Sequence, residues 1–119
     1  MNTKNLETKK INTLFLDGKL ELSIDTAAKI LSDGGLVAFP TETVYGLGAN
    51  AFDEDAVKST FVAKGRPSDN PLIVHIYDKS QVYEIASVVS EDAQKIIDQI
   101  MPDSITIVLP KKANISHAI

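Results

Sequence analysis

The sequence predicts an α/β domain, and three observations carry that reading. Strand-like runs of Val, Ile and Leu alternate with segments of helical period, which places helices against a sheet. The chain's 119 residues suit one domain with a core of its own. With 44% hydrophobic and 24% charged residues, the composition is that of an ordinary globular protein. There is no internal repeat and no low-complexity segment.

Taken in order, residues 1–10 are polar and read as a frayed terminus before a short strand at 13–16. From Ser23, which can cap, Ile24, Ala27, Ala28 and Leu31 recur at helical spacing, and Gly34-Gly35 can stop that helix. Residues 36–39 (Leu-Val-Ala-Phe) read as a buried strand ended by Pro40. The triplet Asp53-Glu54-Asp55 opens a second helix, with Ala56, Val57, Thr60 and Phe61 on its apolar face, Lys64 in its last turn and Gly65 beyond. That position makes the acids a helix start and not a metal site. Residues 72–77 read as another buried strand. Ser80 then opens a helix carrying Val82, Ile85, Ala86 and Val89, and Ser90 one carrying Ala93, Ile96, Ile97 and Ile100. Pro102-Asp103 turns the chain into a β-branched strand at 105–109, ended by Pro110.

Composition narrows the chemistry. There is no cysteine, which removes disulfides, thiolate nucleophiles and Cys-based metal centres. A net charge of −4 disfavours a surface built for nucleic-acid phosphates. No apolar run approaches the roughly 20 residues that span a bilayer, and the polar N-terminus lacks a signal peptide's apolar stretch, so a soluble, cytoplasmic protein is expected. Arg66 is the only arginine among 12 cationic residues, which gives it a specific interest.

Two segments carry candidate chemistry. If residues 40–50 run extended, Thr41, Thr43 and Tyr45 share one side, beyond a strand's end where open α/β sheets bind ligands. Three hydroxyls there suit a small polar substrate; the same pattern also fits a polar edge strand. Gly46 and Gly48 lack the third glycine and the Gly-Lys-Ser/Thr ending of nucleotide fingerprints. In the second segment, Lys64 and Arg66 bracket a glycine between a helix and Pro67. A guanidinium fork beside a point charge suits a polyphosphate, and Asn70 could read a base or sugar edge. The alternative is that Lys64 serves the helix C-terminus and Arg66 pairs with Asp69. His75 is either a satisfied core histidine or a pocket residue, and His117 has no partner at zinc-ligand spacing.

Residues 39–52, containing Pro40-Thr41-Glu42-Thr43-Val44-Tyr45-Gly46-Leu47-Gly48, are followed by Ala63-Lys64-Gly65-Arg66-Pro67-Ser68-Asp69-Asn70-Pro71-Leu72-Ile73-Val74-His75-Ile76. Together they closely resemble the YrdC-type threonylcarbamoyl-adenylate synthase family, and the resemblance runs from about Ser23 to Leu109. It implies a twisted mixed α/β sheet with packed helices around a concave pocket, in which L-threonine, bicarbonate and ATP become threonylcarbamoyl-AMP and pyrophosphate for tRNA modification. By that resemblance Thr43 and His75 contact threonine, and Lys64, Arg66 and Asn70 contact ATP. Thr41, Tyr45 and Thr106 are further candidates for the pocket wall. ATP is then a substrate accompanied by Mg2+, with no tightly bound cofactor, no protein-held metal and no protein nucleophile or base. Positioning and charge neutralisation suffice for such a displacement.

The resemblance also divides the chain into an N-terminal segment, 1–22, and the N-terminal portion of one YrdC-like domain, 23–119. Family members continue to a Ser-x-Asn element that completes the nucleotide site, so residues 1–119 alone are expected to show little synthase activity. An open sheet edge is expected to favour homo-oligomers. The unstable adenylate implies a downstream tRNA-modifying transferase as partner, with no membrane involved. Met101-Pro102-Asp103-Ser104 departs from the family's Trp-Pro-Gly turn. Two other readings are an RNA-binding module of this fold and a related carbamoyl-transfer domain.

Overall fold

A computed structural model describes residues 12–65 and 71–119. Helix α1 (Glu21–Ser32) leads into strand β1 (Val37–Phe39) and strand β2 (Gly46–Gly48), followed by helix α2 (Glu54–Lys64). A 3-10 turn (Lys79–Gln81) then runs into the single-turn helix α3 (Val82–Ile85), and helix α4 (Glu91–Ile100) follows. β1 and β2 form an antiparallel ladder with Val37 opposite Gly48, Ala38 opposite Leu47 and Phe39 opposite Gly46. The α/β class holds. No helix among the described residues is long and apolar enough to cross a membrane.

α1 begins at Glu21, two residues before the expected cap, and Leu20 at its N-cap supplies no side-chain hydrogen bond. Its half-buried face runs through Ser23, Thr26, Ala27, Ile30 and Leu31, while Ile24 and Ala28 are exposed. The expected stripe is therefore rotated by about one residue. Its C-terminus is a Schellman motif: Gly34 takes φ +89°, its amide donates to Leu31 O, and the Gly35 amide donates to Ile30 O at 2.8 Å. A Cβ on Gly34 would lie 2.8 Å from Asp53 Oδ2. The end of α1 therefore rests against the start of α2.

α2 forms as its sequence dictates. Asp53 caps it, Oδ1 accepting from the Ala56 amide at 3.1 Å, and Gly65 closes it in the left-handed region at φ +61°. Ala56, Val57, Thr60 and Phe61 are its buried face. Ile115 and Ser116 are also buried, and the Ser116 amide donates to Ala51 O at 3.2 Å. The His117 amide donates to Glu54 Oε2 at 2.9 Å, so the segment after residue 110 is tied to the first turn of α2. Hydrogen bonding from the Ser116 hydroxyl, helped by that amide and by Lys58, holds the half-buried Glu54 carboxyl below its ordinary range.

The helix expected from Ser80 is shorter and starts earlier. Asp78 and Gln81 form a capping box around the 3-10 turn, and Ala86 already leaves α3 in an extended conformation. α4 is capped by Ser90, whose hydroxyl accepts from the Ala93 amide at 3.1 Å. Its buried residues are Ala93 and Ile97; Ile96 and Ile100 of the expected stripe remain exposed. Ile97, at 0% exposure, joins Val82 and Ala86 in a core ringed by Ile76, Val89, Met101, Ile107 and Leu109.

Three expected strands do not form ladders among the described residues. Residues 13–16 are exposed coil. Residues 72–77 alternate half-buried and exposed, as a strand facing a core does, but no backbone hydrogen bond joins them to another element. Residues 105–109 likewise lack a partner, and the nearest ladder contact is the isolated bridge between Ala86 and Lys111. Nor is β1 a buried strand, since Phe39 is 40% exposed and β2 is its only partner among the described residues.

Candidate functional site

The first candidate segment is a hairpin loop. Phe39 pairs with Gly46, so residues 40–45 leave the ladder, and the chain bends at 42–44. The extended alternation that would put Thr41, Thr43 and Tyr45 on one side is therefore absent. Thr41 folds onto its own loop, its hydroxyl donating to Val44 O and accepting from the Thr43 amide at 3.3 Å. Thr43 and Tyr45 are exposed, and the Thr43 hydroxyl has no hydrogen-bond partner among the described residues. Gly46 and Gly48 have a packing role: an added Cβ would lie 2.9 Å and 3.1 Å, respectively, from the ring of Phe39. Larger residues would displace that ring.

The second segment begins where α2 stops. Lys64 is the last helical residue and is exposed, and the left-handed Gly65 turns the chain away from the helix axis. Arg66 and Asn70 lie outside the described residues. The chain resumes at Pro71 and carries His75 on the exposed side of its alternation, with Nδ1 3.1 Å from Ile73 O. His75 is thus a surface residue of this run and not a core histidine.

His75 and Thr106 line one open groove of about 970 Å³ between residues 71–76 and 103–110, floored by Ile97, Val82 and Ala86. Thr41, Thr43, Tyr45 and Lys64 are not among its lining residues. Its walls are chiefly Leu, Ile and Val, and its titratable lining residues are His75, Asp103 and Lys111. Such a lining suits apolar side chains better than phosphates. Sequence reasoning had not singled out Lys111, although it follows Pro110 directly after a strand-like run. Its ammonium donates to Ser116 O. The structure therefore brings together His75 and Thr106 of the expected site residues and leaves the hairpin and Lys64 outside that groove.

The family model Sua5_yciO_yrdC, described as "Telomere recombination", matches residues 29–119. A threonylcarbamoyl-AMP synthase of Pyrococcus abyssi is 50% identical over 99 residues, which is 83% of this chain and 29% of that protein. One from Bacillus subtilis is 49% identical over 108 residues, or 87% of this chain and 31% of that protein. The chain spans less than a third of the length of either relative. Among solved structures, P. abyssi Sua5 complexed with L-threonine aligns with a TM-score of 0.76 at 50% identity, covering 84% of this chain and 29% of that one. A variant of the same Sua5 aligns at 0.77, covering 84% and 31%.

Proposed function

The chain belongs to the Sua5/YciO/YrdC family, and from that premise we propose that it supplies threonine- and nucleotide-recognition elements of a threonylcarbamoyl-AMP synthase. The observation that carries this reading is the 50% identity, over 84% of this chain, to a protein solved with L-threonine bound. The reaction would join the threonine amine to bicarbonate carbon with loss of water, and a carbamate oxygen would then displace pyrophosphate from the α-phosphorus of ATP. Each step needs reactants held in line and phosphate charge neutralised, and neither needs a covalent protein intermediate.

In this proposal the Thr43 hydroxyl and the His75 imidazole contact threonine. Lys64, Arg66 and Asn70 contact ATP. Their exposure supports the assignment for Thr43, Lys64 and His75, whose side chains are available to a ligand. Thr106 shares a groove with His75 and remains a wall candidate. Among the described residues no group of three or more His, Asp or Glu side chains could hold a metal ion. A cation accompanying ATP would ride chiefly on its phosphates.

The test is pyrophosphate release from ATP by the protein carrying this chain, with L-threonine and bicarbonate each omitted in turn. Release should require both. Release that continues without L-threonine would overturn the assignment.

A further inference from the structure

We propose that Thr41 is a positioning residue that fixes the loop presenting Thr43 and makes no ligand contact of its own. This rests on the reading of Thr43 as a threonine contact. The two hydroxyls of the hairpin loop are in opposite situations. Thr41 has one proton to donate, and it goes to Val44 O, while one of its lone pairs takes the Thr43 amide at 3.3 Å. The Thr43 side chain is exposed, and its hydroxyl has no partner among the described residues.

The two bonds of Thr41 span the bend at residues 42–44, anchoring the amide of Thr43 and the carbonyl of Val44 to one oxygen. The residue offered to the ligand is thereby held from both sides. The loop is exposed along its length, so no core packing would hold this geometry if the hydroxyl were lost. Preorganisation of this kind lowers the ordering cost that binding would otherwise carry.

The experiment compares Thr41→Val, which keeps the shape and loses the hydroxyl, with Thr41→Ser, which keeps the hydroxyl, and with Thr43→Val. Two quantities are read in the full protein: L-threonine affinity by calorimetry, and exchange of the Thr43 amide with deuterium. Thr41→Val should weaken L-threonine binding about tenfold, the size expected for two ordinary hydrogen bonds, and speed exchange at Thr43. Thr41→Ser should restore both. In turnover the loss should fall on KM for threonine and leave KM for ATP unchanged.

If Thr41→Val binds L-threonine as wild type does while Thr43→Val does not, the positioning role is overturned and the functional reading stands. If wild type does not bind L-threonine, the functional reading fails and this inference falls with it. Should the valine variant not fold, Thr41→Ala repeats the comparison with a smaller side chain. Unchanged threonine affinity there also overturns the proposal.

Discussion

The ring of Phe39 lies over Gly46, its cross-strand partner, so closely that a Cβ on the glycine would come within 2.9 Å of it. Gly46→Ala should therefore push the ring aside. Because that ring is 40% exposed and can move toward solvent, the cost should be modest, about 1 kcal/mol. Urea unfolding of Gly46→Ala, Phe39→Ala and the double variant should show coupling between the two sites. Strict additivity would show that the contact contributes nothing.

Gly34→Ala should be worse. Its φ of +89° is a region L side chains rarely adopt, and the new Cβ would lie 2.8 Å from an oxygen of Asp53, the cap of α2. The left-handed conformation alone costs about 1–2 kcal/mol. A loss of roughly 2 kcal/mol is expected by thermal or urea unfolding, and an effect within about 0.5 kcal/mol would contradict the packing of α1 against α2.

The carboxyl of Glu54 ties the Ser116 and His117 segment to α2, and its pKa is lowered chiefly by the Ser116 hydroxyl. A lowered carboxyl stabilises the state in which it is charged, so this tie is complete above the ordinary glutamate value and is lost as pH falls through the folded one. Protection of the His117 amide against deuterium exchange, taken relative to its intrinsic rate at each pH, should fall across that acidic window. Glu54→Gln should flatten the dependence.

Arg66→Lys keeps the charge at the only arginine but removes the planar fork. If Arg66 grips ATP, nucleotide affinity should fall about tenfold, which is the loss of roughly one charge-assisted hydrogen bond. Calorimetric titration of the folded variant with ATP measures it. Unchanged affinity would return Arg66 to a structural role.

α2 was legible almost residue by residue because every signal agreed: acids and Asp53 at its start, a two-turn apolar face, and a glycine in the left-handed region at its end. The hairpin was not. Its second strand is Gly46-Leu47-Gly48, which has no β-branched residue, and the pairing depends on a ring lying across glycines, a tertiary contact invisible to period and propensity. Before Ser80 the sequence carries a usable signal, since Asp78-Lys79-Ser80-Gln81 has the spacing of the capping box that forms there. The α1 stripe differs from the expected one because that helix is only partly covered and buries no residue, so one of its two isoleucines, Ile24, stands in solvent while Ile30 is half-buried.

For the candidate site, residue identities came from motif resemblance, and the structure adds the shape of the hairpin loop and the exposure of Thr43, Lys64 and His75. Thr41 could not be separated from Thr43 in the sequence. Alternating hydroxyls in an extended segment look equivalent, and only a bend distinguishes the one that bonds inward from the one left outward. Arg66 and Asn70 lie outside the described residues, so their placement rests on the resemblance.

The runs at 72–77 and 105–109 are strong β-formers with no ladder partner among the described residues, and Ile73, Tyr77 and Val108 stand well exposed on them. Short, uncharged stretches of this kind are what copies of a chain stack into fibrils. Pro71 precedes the first run and Pro110 ends the second, each unable to donate a backbone proton to a growing stack. Both prolines therefore act as gatekeepers of colloidal stability, limiting how far either run can zip against its own image while it is uncovered.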